Sequence, residues 1–92
     1  MSRATIRIPG PLRDLTGRTG DVDVDGATVA EALDALMRRY PGLRRHLRSE
    51  VGGLREHVNV FLNEDDIRSV GGEGSRIAEG DVITIVPSIA GG

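Results

Sequence analysis

The chain has 92 residues, 38% hydrophobic and 28% charged, with a formal net charge of −2. That is enough for one domain and too little for two cores, and it supplies no global field toward nucleic acid or anionic lipid. Cysteine is absent, which excludes a disulfide framework, a thiolate nucleophile and a cysteine metal site.

Residues 3–8 alternate, with Ala4, Ile6 and Ile8 on one side, as in a half-buried strand. Pro9-Gly10-Pro11 ends it, and residues 12–19 are expected to form a turn with Leu12 and Leu15 inward. Asp21 to Asp25 alternates strictly and Gly26 closes it, which predicts a hairpin with the first strand and exposed, solubilising aspartates. Thr28-Val29-Ala30-Glu31 is a capping box, the threonine hydroxyl accepting the Glu31 amide and the glutamate reaching back to the threonine amide. Val29, Leu33, Leu36, Met37 and Tyr40 follow at helical spacing, and Pro41 stops the helix near Arg39. Leu43 and Leu47 predict one more short helical turn, and Gly52-Gly53 marks a loop.

Residues 57–63 alternate again, with Val58, Val60 and Leu62 on one face and Asn59 and Phe61 on the other. Residues 63–66 carry turn chemistry. Ile67-Arg68 is expected to be a brief strand, Gly71 to Ser75 a loop and residues 76–78 a single helical turn. Glu79-Gly80-Asp81 turns into a final strand, residues 82–86, β-branched throughout. Pro87 cannot donate to a sheet ladder, and residues 88–92 lack periodicity, as a mobile tail does.

This order predicts an α+β fold, a mixed sheet of four to five strands with one main helix on one face. Pairing the first and last strands in parallel, with the helix in the crossover, gives the β-grasp (ubiquitin-like) arrangement. Residues 1–87 are the expected domain and 88–92 its tail.

The tail ends in Ala90-Gly91-Gly92. Two glycines at the end of a chain are a frayed end or, lacking Cβ atoms, a backbone able to thread a narrow slot and present a carboxylate. Catalytic constellations are lacking. His46 and His57 do not fall into a metal-ligand spacing pattern, and no serine, histidine and acid form a nucleophilic set. Residues 64–66 read as a solvated acidic turn, and Gly72-Glu73-Gly74-Ser75-Arg76 lacks the lysine and spacing of a phosphate loop. Arg38, Arg39, Arg44, Arg45 and Arg48 are a basic cluster around a helix end, with only Tyr40 and Phe61 as aromatics to stack on bases. Phe61 should point away from the helix and share that outer face with Val82, Thr84 and Val86. There it forms a docking patch beside the tail or packs under loops. Neither a membrane span nor the apolar core of a signal peptide is present, which predicts a cytoplasmic protein.

Taken together, Thr28-Val29-x-Glu31-x-Leu33, Val58-Asn59, Gly80-Asp81-x-x-Thr84-Ile85 and Pro87-x-x-Ala90-Gly91-Gly92 resemble the ubiquitin-like sulfur carrier proteins of the MoaD/ThiS family over essentially the whole chain. Residues 58–68 followed by Gly71-Gly72 are most similar to its CysO branch, the carriers of the O-phosphoserine route to cysteine. Val86-Pro87-Ser88 departs from the molybdopterin branch, which commonly has two prolines and bulky aromatics there. The resemblance implies that the chain catalyses nothing itself and binds no cofactor. A partner, an E1-like adenylyltransferase and sulfurtransferase using ATP and Mg, would adenylate Gly92 and convert it to a thiocarboxylate. Ile89, Ala90 and Gly91 would thread into that partner, and Phe61, Thr84, Val86 and Pro87 would dock on it. A sulfur-accepting enzyme, in the cysteine route a pyridoxal-phosphate-dependent synthase, would take the sulfur. Nucleic acid and membrane are not expected partners. A molybdopterin synthase small subunit, a ubiquitin-like modifier and an inert interaction domain are the alternatives.

Overall fold

Alternating apolar and polar residues, with one β-branched run at residues 82–86, build the sheet. The computed structural model of the chain describes residues 1–87. Strands β1 (Ser2–Arg7), β2 (Asp21–Gly26), β3 (Val58–Leu62), β4 (Asp65–Asp66) and β5 (Asp81–Pro87) form one sheet in the order β2-β1-β5-β3-β4. β1 and β2 are antiparallel, β1 and β5 parallel, and β5 and β3 antiparallel. This is the expected mixed sheet with its first and last strands side by side at the centre.

Helix α1 (Val29–Arg39) covers one face. Thr28 accepts the Glu31 amide at 3.2 Å, as the capping box requires. Glu31 reaches one residue further back than expected, accepting the Ala27 amide at 2.9 Å. The helix stops before Pro41. A 3-10 turn (Pro41–Leu43) then runs into the short helix α2 (Arg44–Leu47), burying Leu43 and Leu47 at the predicted spacing. Ala4, Ile6, Val24, Val60, Ile83 and Ile85 meet Val29, Leu33, Leu36 and Met37 in one core. Burial of such side chains is worth about 1.5–3 kcal/mol each.

Three local expectations fail. The β1–β2 connection is a 3-10 helix (Gly10–Thr16), not an open turn, and Thr16 is buried because its hydroxyl bonds the Arg13 and Thr19 carbonyls. The fourth strand is Asp65–Asp66. Ile67 begins a 3-10 turn capped by the Asp66 side chain, and its own side chain enters the core. Residues 76–78 are extended. Arg76 bridges Thr28, and the Ile77 amide donates to the Ala27 carbonyl at 3.1 Å, which pulls Ile77 into the core. The single turn lies earlier, at Gly72–Gly74.

Candidate docking face and tail root

Ile83 and Ile85 are buried against the helix, so alternation places Val82, Thr84 and Val86 on the opposite, outer face. β3 behaves likewise. Val58 and Val60 are buried, and Phe61 is half-buried and stands outside the core cluster. Cross-strand register fixes the neighbours on this face. Phe61 stands opposite Thr84, Asn59 opposite Val86, and Thr84 opposite Arg7 on β1. Phe61, Thr84 and Val86 are thereby brought together. Val86 is 41% exposed, one of few large hydrophobic side chains in solvent among the described residues. An aliphatic and an aromatic group at one sheet end are what a partner can desolvate.

Pro87 stands apart. It is opposite Val58, an inward residue, so alternation puts it on the helix side of the strand end and not beside Val86. It is the last described residue, and residues 88–92 leave from it. The predicted tail, residues 88–92, with the candidate threading residues Ile89, Ala90 and Gly91 and the candidate sulfur carrier Gly92, lies outside the described residues.

Charged rows border the apolar patch. On one side Thr5 donates to Asp23 at 2.7 Å, and Arg3 lies 3.5 Å from Asp25. On the other, Arg68 is held flat by three hydrogen bonds. Its Nε and Nη2 donate to the two Asp66 oxygens at 3.1 and 2.8 Å, and Nη2 also donates to Asn59 at 2.9 Å. The hydrogen bond from the Arg68 side chain, joined by its backbone N–H, holds the Asp66 carboxyl below the usual carboxylate range, and Asp66 in turn raises the guanidinium. The sequence did not single out this clamp. Its one local signal is the Asp-x-Arg spacing after the turn.

The basic cluster is not uniformly solvated. The Arg48 side chain is 9% exposed. Its Nη1 donates to Glu73 Oε2 at 2.7 Å, its Nη2 lies 2.6 Å from the buried Glu73 Oε1, and Asp34 is 3.6 Å away. The Oε1 contact is an ion pair whose angle falls short of a hydrogen bond. Glu73 raises the Arg48 pKa despite the opposing effect of burial. Among the described residues no three histidine, cysteine or acidic side chains group as metal ligands, and no helix is long and apolar enough to cross a membrane.

The ThiS family model matches residues 6–92. The sulfur carrier protein CysO of Mycobacterium tuberculosis is 38% identical over 90 residues, 96% of this chain and 97% of that protein. Small archaeal modifier protein 1 of Haloferax volcanii is 40% identical over 83 residues, 88% of this chain and 91% of that protein. Among solved structures, a chain of the Amycolatopsis orientalis BexX/CysO complex superposes with a TM-score of 0.88 at 38% identity. The match covers 97% of this chain and 99% of that one.

Proposed function

The chain belongs to the ThiS family, and from that premise we propose that it carries sulfur on the carboxyl group of Gly92. In this function it is a cosubstrate and not a catalyst. The observation that carries the proposal is the likeness to the CysO sulfur carriers over 96% of the chain. It is supported by a family match that runs through Gly92.

The chemistry follows from the carboxylate. At neutral pH it is ionised and a poor acceptor for nucleophiles. An adenylating partner supplies Mg-ATP. A Gly92 carboxylate oxygen attacks the α-phosphorus, and pyrophosphate leaves with its bonding electrons. A donor then supplies sulfide-level sulfur as hydrosulfide, which attacks the acyl carbon; AMP leaves with its bonding electrons and the S–H proton is lost to water, leaving a thiocarboxylate. Its sulfur is a soft nucleophile on a glycine arm with no side chain to obstruct it. Neither lysine nor cysteine occurs in the chain, so no side-chain amine or thiol of its own competes for the adenylate. The partner grips the outer face around Phe61, Thr84 and Val86 while Ile89, Ala90 and Gly91 enter its active site. The acceptor is a second enzyme. Likeness to CysO favours one that makes cysteine, with a pyridoxal-phosphate-bound aminoacrylate as the electrophile. The protein acts in the cytoplasm, where such enzymes and ATP are found.

Mass spectrometry of the chain after incubation with the host's adenylating enzyme, Mg-ATP and a sulfur donor tests this. The expected product has sulfur in place of one terminal oxygen, and deletion of Gly92 abolishes it with an unchanged circular dichroism spectrum. Transfer that survives the deletion refutes the proposal. The likeness to small archaeal modifier protein 1 favours a second reading, conjugation of Gly92 to lysines of other proteins, for which isopeptide-linked adducts in host extracts are the signature.

A further inference from the structure

Residues 38–55 hold six arginines against one carboxylate, Glu50, in a chain of net charge −2. Among the described residues only Arg48 of the six forms an ion pair. Arg44 and Arg45 open α2 and are exposed. Arg55 folds back onto that helix, its backbone N–H donating to the Leu47 carbonyl at 3.0 Å and its Nε to the Arg45 carbonyl at 2.6 Å. The three arginines border an open groove of about 640 Å³.

Arg55 links the groove to the strand end from which the tail leaves. The Arg55 carbonyl accepts the Val58 amide at 3.0 Å, and Val58 is the register partner of Pro87. Arg55, on the groove's rim and followed by the exposed Glu56, is thus one backbone hydrogen bond from the register partner of Pro87, and the arginines of the groove outnumber its one carboxylate, Glu50. Five residues beyond Pro87 span at most roughly 17 Å when extended, whereas charges in physiological salt are screened over about 8 Å. These arginines accordingly act on whatever surrounds the slot that the tail enters, and not on the nucleotide at its far end.

We propose that Arg44, Arg45 and Arg55 form a cationic collar that docks on an acidic protein surface around the mouth of the adenylating enzyme's nucleotide site. This rests on the sulfur-carrier reading and adds the chemistry of the partner. Delivery of an anionic carboxylate toward anionic ATP is electrostatically unfavourable. A carboxylate-lined mouth meeting a cationic collar offsets that repulsion and speeds encounter. A nucleic acid fits less well. The exposed Asp21, Asp23 and Asp25 and the net charge of −2 oppose an extended polyanion. The two aromatics are also committed elsewhere, Tyr40 beneath Arg39 at 5.7 Å and Phe61 on the sheet.

The test is steady-state thiocarboxylate formation by the host's adenylating enzyme, with the full-length carrier as varied substrate at several salt concentrations. For R44E/R45E, KM is expected to rise about tenfold with kcat unchanged, and the rise of wild-type KM with salt should disappear. R44Q/R45Q should fall between the two, and it replaces the double reversal if that variant fails to show the wild-type circular dichroism spectrum. A KM and salt response matching wild type overturns the collar, as does a loss confined to kcat. Anisotropy titration with a single-stranded RNA oligonucleotide is run beside it. RNA binding lost in R44E/R45E while KM stays constant reassigns the lobe to nucleic acid and overturns the proposal. Failure of the wild-type chain to form any thiocarboxylate is separately visible and overturns the carrier reading together with the collar.

Discussion

Phe61 is an aromatic residue on a sheet face that the helix never covers, and that position separates its contribution to folding from its contribution to binding. A core residue such as Leu33, fully buried under the sheet, should cost about 2–5 kcal/mol on truncation to alanine. Phe61→Ala should cost less than about 1.5 kcal/mol, because its ring lies outside that core. The same change should weaken the proposed complex with the adenylating enzyme by about 2 kcal/mol or more, as truncating a central aromatic anchor does. Thermal unfolding and a binding titration on one preparation check both halves. Arg48 and Glu73 present the converse case. Glu73→Ala leaves a guanidinium buried with only Asp34 at 3.6 Å to face it. Loss of about 2–4 kcal/mol in urea unfolding is the expected result, since stripping one partner from a buried pair exposes the desolvation cost of the other. This cluster was illegible in the sequence because Arg48, Asp34 and Glu73 are distant along the chain and no local spacing links them.

Local rules wrote some elements and tertiary contacts wrote others. Helix α1 was readable to its ends because a cap, an apolar stripe and a following proline agree within a dozen residues. Thr28→Ala should lower stability by about 1 kcal/mol, measurable by chemical denaturation, as the Glu31 amide loses its acceptor. β1, β2 and β3 were readable from period-two alternation and β5 from its unbroken β-branched run. β4 was not, since a two-residue strand has no period and its existence depends on Phe61 and Leu62 lying alongside. Ile77 misled in the same way. Its neighbours look helical in isolation, but the bridge from Arg76 to Thr28 holds the segment extended and turns Ile77 inward. Of the docking face, Phe61, Thr84 and Val86 followed from alternation alone. The position of Pro87 followed only from its register with Val58.

At the scale of the whole molecule, the sheet is held from its centre outward. β5 is paired on both sides and β1 joins it to the hairpin, whereas β2 and β4 are edges. Hydrogen exchange should therefore be slowest in β1 and β5, approaching the global unfolding free energy. It should be fastest in Asp65 and Asp66, which open locally. Comparable exchange in centre and edge strands would contradict this ordering. The central place of β5 has a mechanical consequence. A partner that draws on the chain beyond Pro87 pulls along the strand axis. The strand is laced to β1 on one flank and β3 on the other. The load then falls in shear on many rungs together and does not peel them one by one, so the body stays intact under tension while only its last few residues are reeled in.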